Sequence, residues 1–287
     1  MILPFGITPK AYAAPVEAGK KAILIVSFGT TFDDARKADI EATENKIKKA
    51  YPDYEVRRAF TSRIVMKRLA DRGINIDNEA QALEKLQREG FKEVIVQPLH
   101  FQPGSEYEKI TRAVSIFNHK KAFEKITVGR PLLYYFGQEE NPDDYAILIN
   151  ALATQFPKLG KNDGIILMGH SGPHPSNAAY AMLQMKLWDS GYKNVFIITV
   201  DGYPYLEDVM PKLKANNIKK VTLMPLMVVA GDHANNDMAG DEEDSYKSQL
   251  VKAGYQVETY MRGVGANAAV QNIYVQHAGD AMKGEEE

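Results

Sequence analysis

Two histidines and one glutamate stand where they could handle a divalent metal and a proton. His233 ends the segment L-M-V-V-A-G-D-H, beyond Pro225 at the close of one apolar run, and His170 follows a second apolar run in M-G-H-S-G. Glu106 ends L-H-F-Q-P-G-S-E, beyond Pro98 at the close of a third. Neutral imidazole binds borderline divalent metals and accepts protons, and a carboxylate can do either. A lone histidine also fits a structural role, and a glutamate ahead of a helix also fits as a partner for the helix dipole. Pairing the two histidines in glycine-bearing loops favours the chemical reading, with Glu106 as a third ligand or proton relay.

The spacing supports this placement. An offset of 127 positions lays Val94 on Val221, Pro98 on Pro225, Gly104 on Gly231 and Glu106 on His233 without a gap. An offset of 142 lays Ile23-Leu24-Ile25-Val26-Ser27-Phe28 on Ile165-Ile166-Leu167-Met168-Gly169-His170. Ungapped internal matches of this kind read as two related halves.

The elements that must position these residues alternate. Short apolar runs at 21–27, 55–60, 91–99 and 126–133 read as strands of a first half, and 164–168, 195–200, 218–225 and 257–261 as strands of a second. Helical patterns fill the intervals at 33–50, 61–72, 78–89, 107–117, 144–155, 177–190 and 205–216, and 266–282 closes the chain. Strands alternating with helices predict α/β architecture with parallel sheets and sites outside the strand carboxyl ends. The expected divisions are a leader over 1–20, halves over 21–140 and 141–265, and a C-terminal helix and tail over 266–287.

Composition removes several function classes. A net charge of −2 over 287 residues gives no basic field for nucleic acid, and with no cysteine there is no disulfide, thiolate metal site or thiol nucleophile. Neither glycine-rich phosphate-loop pattern is present, so no nucleotide is expected. No run is long enough to span a membrane. The leader carries an A-x-A pattern at Ala11 and Ala13 like a secretory cleavage site but lacks a basic start and a full apolar stretch. A truncated signal peptide would place the protein in the periplasm; otherwise it is cytoplasmic. Arg57, Arg58 and Arg63, beside Thr61 and Ser62, fit either carboxylate clamping or solvation. His174 is expected on an exposed loop, and His119 and His277 on helix surfaces.

At these residues the chain resembles the anaerobic cobalt chelatases, the CbiK-type sirohydrochlorin cobaltochelatases of the class II chelatase superfamily. The resemblance runs from residue 21 to about 276 and is most specific in S-F-G-T-T-F, Y-E-V-R-R-A-F-T-S, Q-P-L-H-F-Q-P-G-S-E-Y, M-G-H-S-G-P-H and G-D-H-A-N-N-D-M. It implies two flavodoxin-like domains with a tetrapyrrole cleft between them. It also implies that His170 and His233 hold the incoming metal with Glu106 beside them. Ser27, Thr30, Arg58, Ser62 and His100 are the expected substrate contacts. The implied reaction inserts Co²⁺ into sirohydrochlorin with loss of two pyrrole protons. Fe²⁺ or Ni²⁺ are alternatives, because His/Glu donors do not separate these metals. A non-enzymatic periplasmic protein that captures metal or tetrapyrrole is the other reading, and self-association into a homo-oligomer is compatible with each.

Overall fold

The structure, a computed structural model, describes residues 19–284, so the A-x-A pattern and the leader ahead of Gly19 lie outside the described residues. The first half opens with β1 (Lys21–Ser27) and a helix in three segments: α1 (Asp33–Ala35), a π-wound stretch (Arg36–Glu41) and α2 (Ala42–Ala50). There follow β2 (Glu55–Phe60), α3 (Arg63–Ala70), α4 (Glu79–Arg88), β3 (Glu93–Leu99), α5 (Ser105–His119) and β4 (Lys125–Val128). A helix, α6 (Asp144–Ala153), leads into β5 (Asp163–Gly169), α7 (Ala178–Asp189), β6 (Val195–Thr199), α8 (Leu206–Ala215) and β7 (Lys220–Pro225). A second π-wound stretch (Ala234–Met238), α9 (Tyr246–Lys252), β8 (Gln256–Thr259) and α10 (Ala268–Lys283) complete the chain.

Two parallel sheets result, ordered β2-β1-β3-β4 and β6-β5-β7-β8. In each, the direction of winding reverses beside the first strand, between β1 and β3 and between β5 and β7, and ligands bind outside the strand ends at such a point. Lys21 pairs with Glu93, and Asp163 with Lys220, so the two registers are related by the same offsets that align the sequence. The sequence repeat is therefore a repeat of the sheet itself.

The strands form because apolar residues point to both faces, as a parallel sheet covered on both sides requires. Ile23 and Ile25 on the first sheet and Ile165 and Leu167 on the second face inward and belong to one continuous core. Leu24 and Val26 face outward under α4 and α5, and Ile166 and Met168 under α8 and α9. The expected strand over 126–133 stops at Val128, because Gly129 packs against the Gln97 side chain and Pro131 lacks an amide donor. The closing helix α10 crosses back to the first half, where the Tyr274 hydroxyl donates to the His100 carbonyl at 3.1 Å and Thr127 donates to the Ala281 carbonyl at 2.9 Å. Packed against α2 and β3, it ties the halves together.

The π-wound stretch in the first helix carries Asp39, which is 1% exposed. Its Oδ2 accepts from the Ala230 amide at 2.9 Å, in the loop that leads to His233. Burial pushes the Asp39 carboxyl up to about 6, against the opposing effect of the Ala230 and Gly263 amides and Arg262. A folded pKa above the unfolded value means that the neutral form suits the fold. The associated stability is complete below the unfolded value and is lost as pH rises through the folded one. Asp39→Asn removes this titration. The stability of the wild type relative to this variant should fall by about 2 kcal/mol between pH 4 and pH 7. Urea unfolding of both proteins at several pH values measures it, and parallel curves would contradict it.

Candidate active site

Three strand ends of the second half converge. β5 ends at Gly169 and delivers His170; β6 ends at Thr199 and delivers Asp201 two residues on; β7 ends at Pro225, and its loop runs to His233 at the start of the second π-wound stretch. The two imidazole centroids are 4.7 Å apart at an interplanar angle of 61°. His233 Nδ1 lies 2.7 Å from Asp237 Oδ2, an i to i+4 pair that fixes the ring with Nδ1–H donating and leaves Nε2 free for a metal. His170 Nε2 lies 3.7 Å from Asp201 Oδ2. That is too long for a hydrogen bond, yet close to the spacing of two donors that share an ion at about 2.0–2.2 Å each. Burial, and then the neighbouring His233, push the His170 pKa below its ordinary value, so the ring stays neutral and keeps a lone pair.

Among the described residues no three His, Asp or Glu side chains already close around one point. The site is open: two imidazoles with a carboxylate beside them on a solvent-facing loop. Of the expected set of His170, His233 and Glu106, the two histidines meet, with Asp201 beside His170 and Asp237 beside His233.

Glu106 is the second residue of α5 and lines the same cavity, of about 610 Å³, from the first half. Its Oε1 accepts from Lys109 at 2.6 Å, while its Oε2 is buried without a partner among the described residues. Of the other expected contacts, Ser27, Thr30, Ser62 and His100 all line the cavity. Ser27 Oγ has no partner among the described residues, Thr30 Oγ1 accepts from the Phe32 amide at 3.1 Å, and Ser62 Oγ caps α3 by accepting from the Val65 amide at 3.4 Å. Both ring nitrogens of His100 are buried and have no partner among the described residues, and burial pushes its pKa down to about 4, so it is a neutral imidazole. Unpaired buried polar atoms are uncommon in native proteins, and several on one cavity wall are what a polar ligand would satisfy. Arg58 does not join them. It sits on β2 facing α2, where its guanidinium grips Glu44 at 2.7 and 2.5 Å and Glu41 at 3.2 Å.

With this geometry in view, the sequence pattern of the cobalt chelatase (CbiK) family matches residues 21–283. The chain belongs to that family. Among known members, the sirohydrochlorin cobaltochelatase of Salmonella typhimurium is 38% identical over 264 residues, covering 92% of this chain and 97% of that one. The sirohydrochlorin cobaltochelatase CbiKC of Nitratidesulfovibrio vulgaris is 32% identical over 258 residues, covering 90% and 89%. The fold is also that of SirB from Bacillus subtilis, which superposes with a TM-score of 0.59 over 93% of this chain and 98% of its own at 17% identity.

Two histidines of this cobalt chelatase lie elsewhere than expected. His174 bridges the halves instead of being free on a loop: its Nδ1 lies 2.8 Å from Ser176 Oγ and its Nε2 3.1 Å from Glu108 Oε1, beside a 2.7 Å bond from Gln102 to Asn177. His277 is 1% exposed rather than on a helix surface, with Nδ1 against the Arg130 carbonyl at 3.1 Å. His119 lies on the surface as expected, against the Ser115 carbonyl. Two residues beside the histidine pair escape sequence reasoning: Asp201, which reads only as part of the turn D-G-Y-P, and Asp237. The i, i+4 spacing of His233 and Asp237 is a usable signal for the second.

Proposed function

We propose that the protein is a sirohydrochlorin cobaltochelatase, which inserts Co²⁺ into metal-free sirohydrochlorin held between the halves 21–140 and 141–265. The observation that carries this reading is the pair of imidazoles, His170 and His233, at adjacent strand ends with Asp201 beside His170 and a large cavity in front. The two relatives that cover most of the chain carry the same activity in their names. His170, His233 and Asp201 hold the substrate ion through few ligands. The remaining positions are open to ring nitrogens, so the ion can leave the protein as it is captured.

Insertion breaks two pyrrole N–H bonds and forms metal–nitrogen bonds, releasing two protons. Glu106 is placed to accept a proton. Its unpartnered Oε2 is buried at the cavity, and its Oε1 lies against the half-exposed Lys109, so one carboxylate connects the cavity to solvent. Glu106→Gln keeps the shape and removes the basicity. Its insertion rate should fall about 100-fold, with Co²⁺ and sirohydrochlorin affinities changed only a few-fold. Single-turnover absorbance beside equilibrium titrations separates these effects, and an unchanged rate would remove the role.

The donor set of two nitrogens and an oxygen also suits Fe²⁺ and Ni²⁺. The test is anaerobic incubation of the protein with sirohydrochlorin and each of Co²⁺, Fe²⁺ and Ni²⁺, followed by absorbance. Faster metallation with Co²⁺ than in protein-free controls is the expected result. Ligand returned unchanged with every metal would point instead to a binding protein.

A further inference from the structure

The relation between the sheets extends to their sites. Ala22 pairs with Glu55 in the first sheet, and Ile165 pairs with Val195 at the next step of the same register in the second, which places Ser62 on Asp201. The other two strand ends place Phe28 on His170 and Glu106 on His233. The second half's His170–Asp201–His233 set therefore has a first-half counterpart, Phe28–Ser62–Glu106, and all six residues but Asp201 line one cavity. An aromatic ring, a hydroxyl and a carboxylate replace imidazole, carboxylate and imidazole.

This counterpart lacks the imidazole pair, since Phe28 and Glu106 stand where His170 and His233 stand in the second half. What it offers is apolar surface. Phe28 is 50% exposed, and Phe32 and Ile64 on the same wall are 37% and 66% exposed. Large side chains left open to water inside a cavity mouth mark a surface that an apolar partner covers. Nearby Glu106 Oε2 is buried and unpartnered.

We infer that Phe28, Ser62 and Glu106 form the counterface of the active site. The tetrapyrrole rests on the Phe28 ring with one face and presents the other to His170 and His233. Metal then arrives from one half of the chain, while the macrocycle is held, and loses a proton, on the half that lacks the histidine pair. The inference rests on the chelatase reading and adds to it a division of labour between duplicated positions, with Phe28 as a residue that touches substrate.

Two binding measurements made separately test it: titration of metal-free sirohydrochlorin by absorbance, and calorimetric titration of Co²⁺ without macrocycle. Phe28→Ala should weaken sirohydrochlorin binding about tenfold, the size of one lost aromatic stacking contact, and leave Co²⁺ affinity within about twofold. Phe28→Trp, which keeps a stacking face, should retain macrocycle affinity and controls for misfolding. His170→Ala should show the reverse pattern. Unchanged sirohydrochlorin affinity in Phe28→Ala, or a parallel fall in Co²⁺ affinity, overturns the assignment. Failure of the wild type to bind sirohydrochlorin would overturn the chelatase reading itself, which is a distinguishable result.

Discussion

Replacing either His170 or His233 with alanine should lower the rate of Co²⁺ insertion by about 100-fold or more while leaving the melting temperature nearly unchanged. In the proposed site each imidazole is one of two nitrogen donors, so its loss leaves a single ligating histidine and a flanking carboxylate. Disturbing even an outer partner of a metal ligand typically weakens binding by about 10–100-fold. Neither histidine belongs to the apolar core, and their side chains are 48% and 38% exposed, so truncation leaves no cavity. Asp237→Ala should give a smaller loss, because it frees the His233 ring without removing it. Insertion assays run beside thermal melts decide the matter. Near-wild-type rates in both histidine variants would end the metal-site assignment, and a collapsed melt would show that these residues support the fold.

Parts of this picture are legible in the amino-acid sequence alone. The buried runs that form β1 and β5 announce themselves because both faces of a parallel strand are covered, and the matched offsets locate His170, His233 and Glu106 at strand ends. Asp201 cannot be read the same way. It comes beside His170 only because β6 lies beside β5, and pairing order is not written in local pattern. Arg58 shows the converse: alternation along β2 says that the residue leaves the sheet, but whether it meets the cavity or Glu44 on α2 depends on how the helix packs. The surroundings of the buried Asp39 are likewise set by a partner 191 residues away. Local pattern misplaces His277 because the polar group it meets, the Arg130 carbonyl, comes from the other half of the chain.

The largest stability effect is expected at Asp144, far from the chemistry. Asp144 is fully buried at the start of α6, where it accepts from the Tyr135 amide at 3.0 Å and from Arg130 Nε at 3.2 Å, with His277 Nε2 at 3.6 Å. Arg130 is itself 8% exposed and reaches Asp280 on α10 at 2.7 Å. Burial pushes the Asp144 carboxyl upward, but His277, the Tyr135 amide and Arg130 outweigh it and hold the pKa below the ordinary value. The ionised form is therefore the one the fold uses. Asp144→Ala would leave the buried Arg130 with only Asp280 as an anionic partner and should destabilise the protein by about 3–5 kcal/mol, the usual penalty for removing one member of a buried ion pair. For a chain of this size that is a melting shift of roughly 10 °C. Asp280→Ala should be milder, since Asp280 is partly solvated and its loss leaves Arg130 paired with Asp144. Because the network joins α6, the end of β4 and α10, its residues should couple: Arg130→Ala combined with Asp144→Ala should lose clearly less than the sum of the single losses. Additive losses would show that Asp144 acts through the Tyr135 amide rather than through the buried charge.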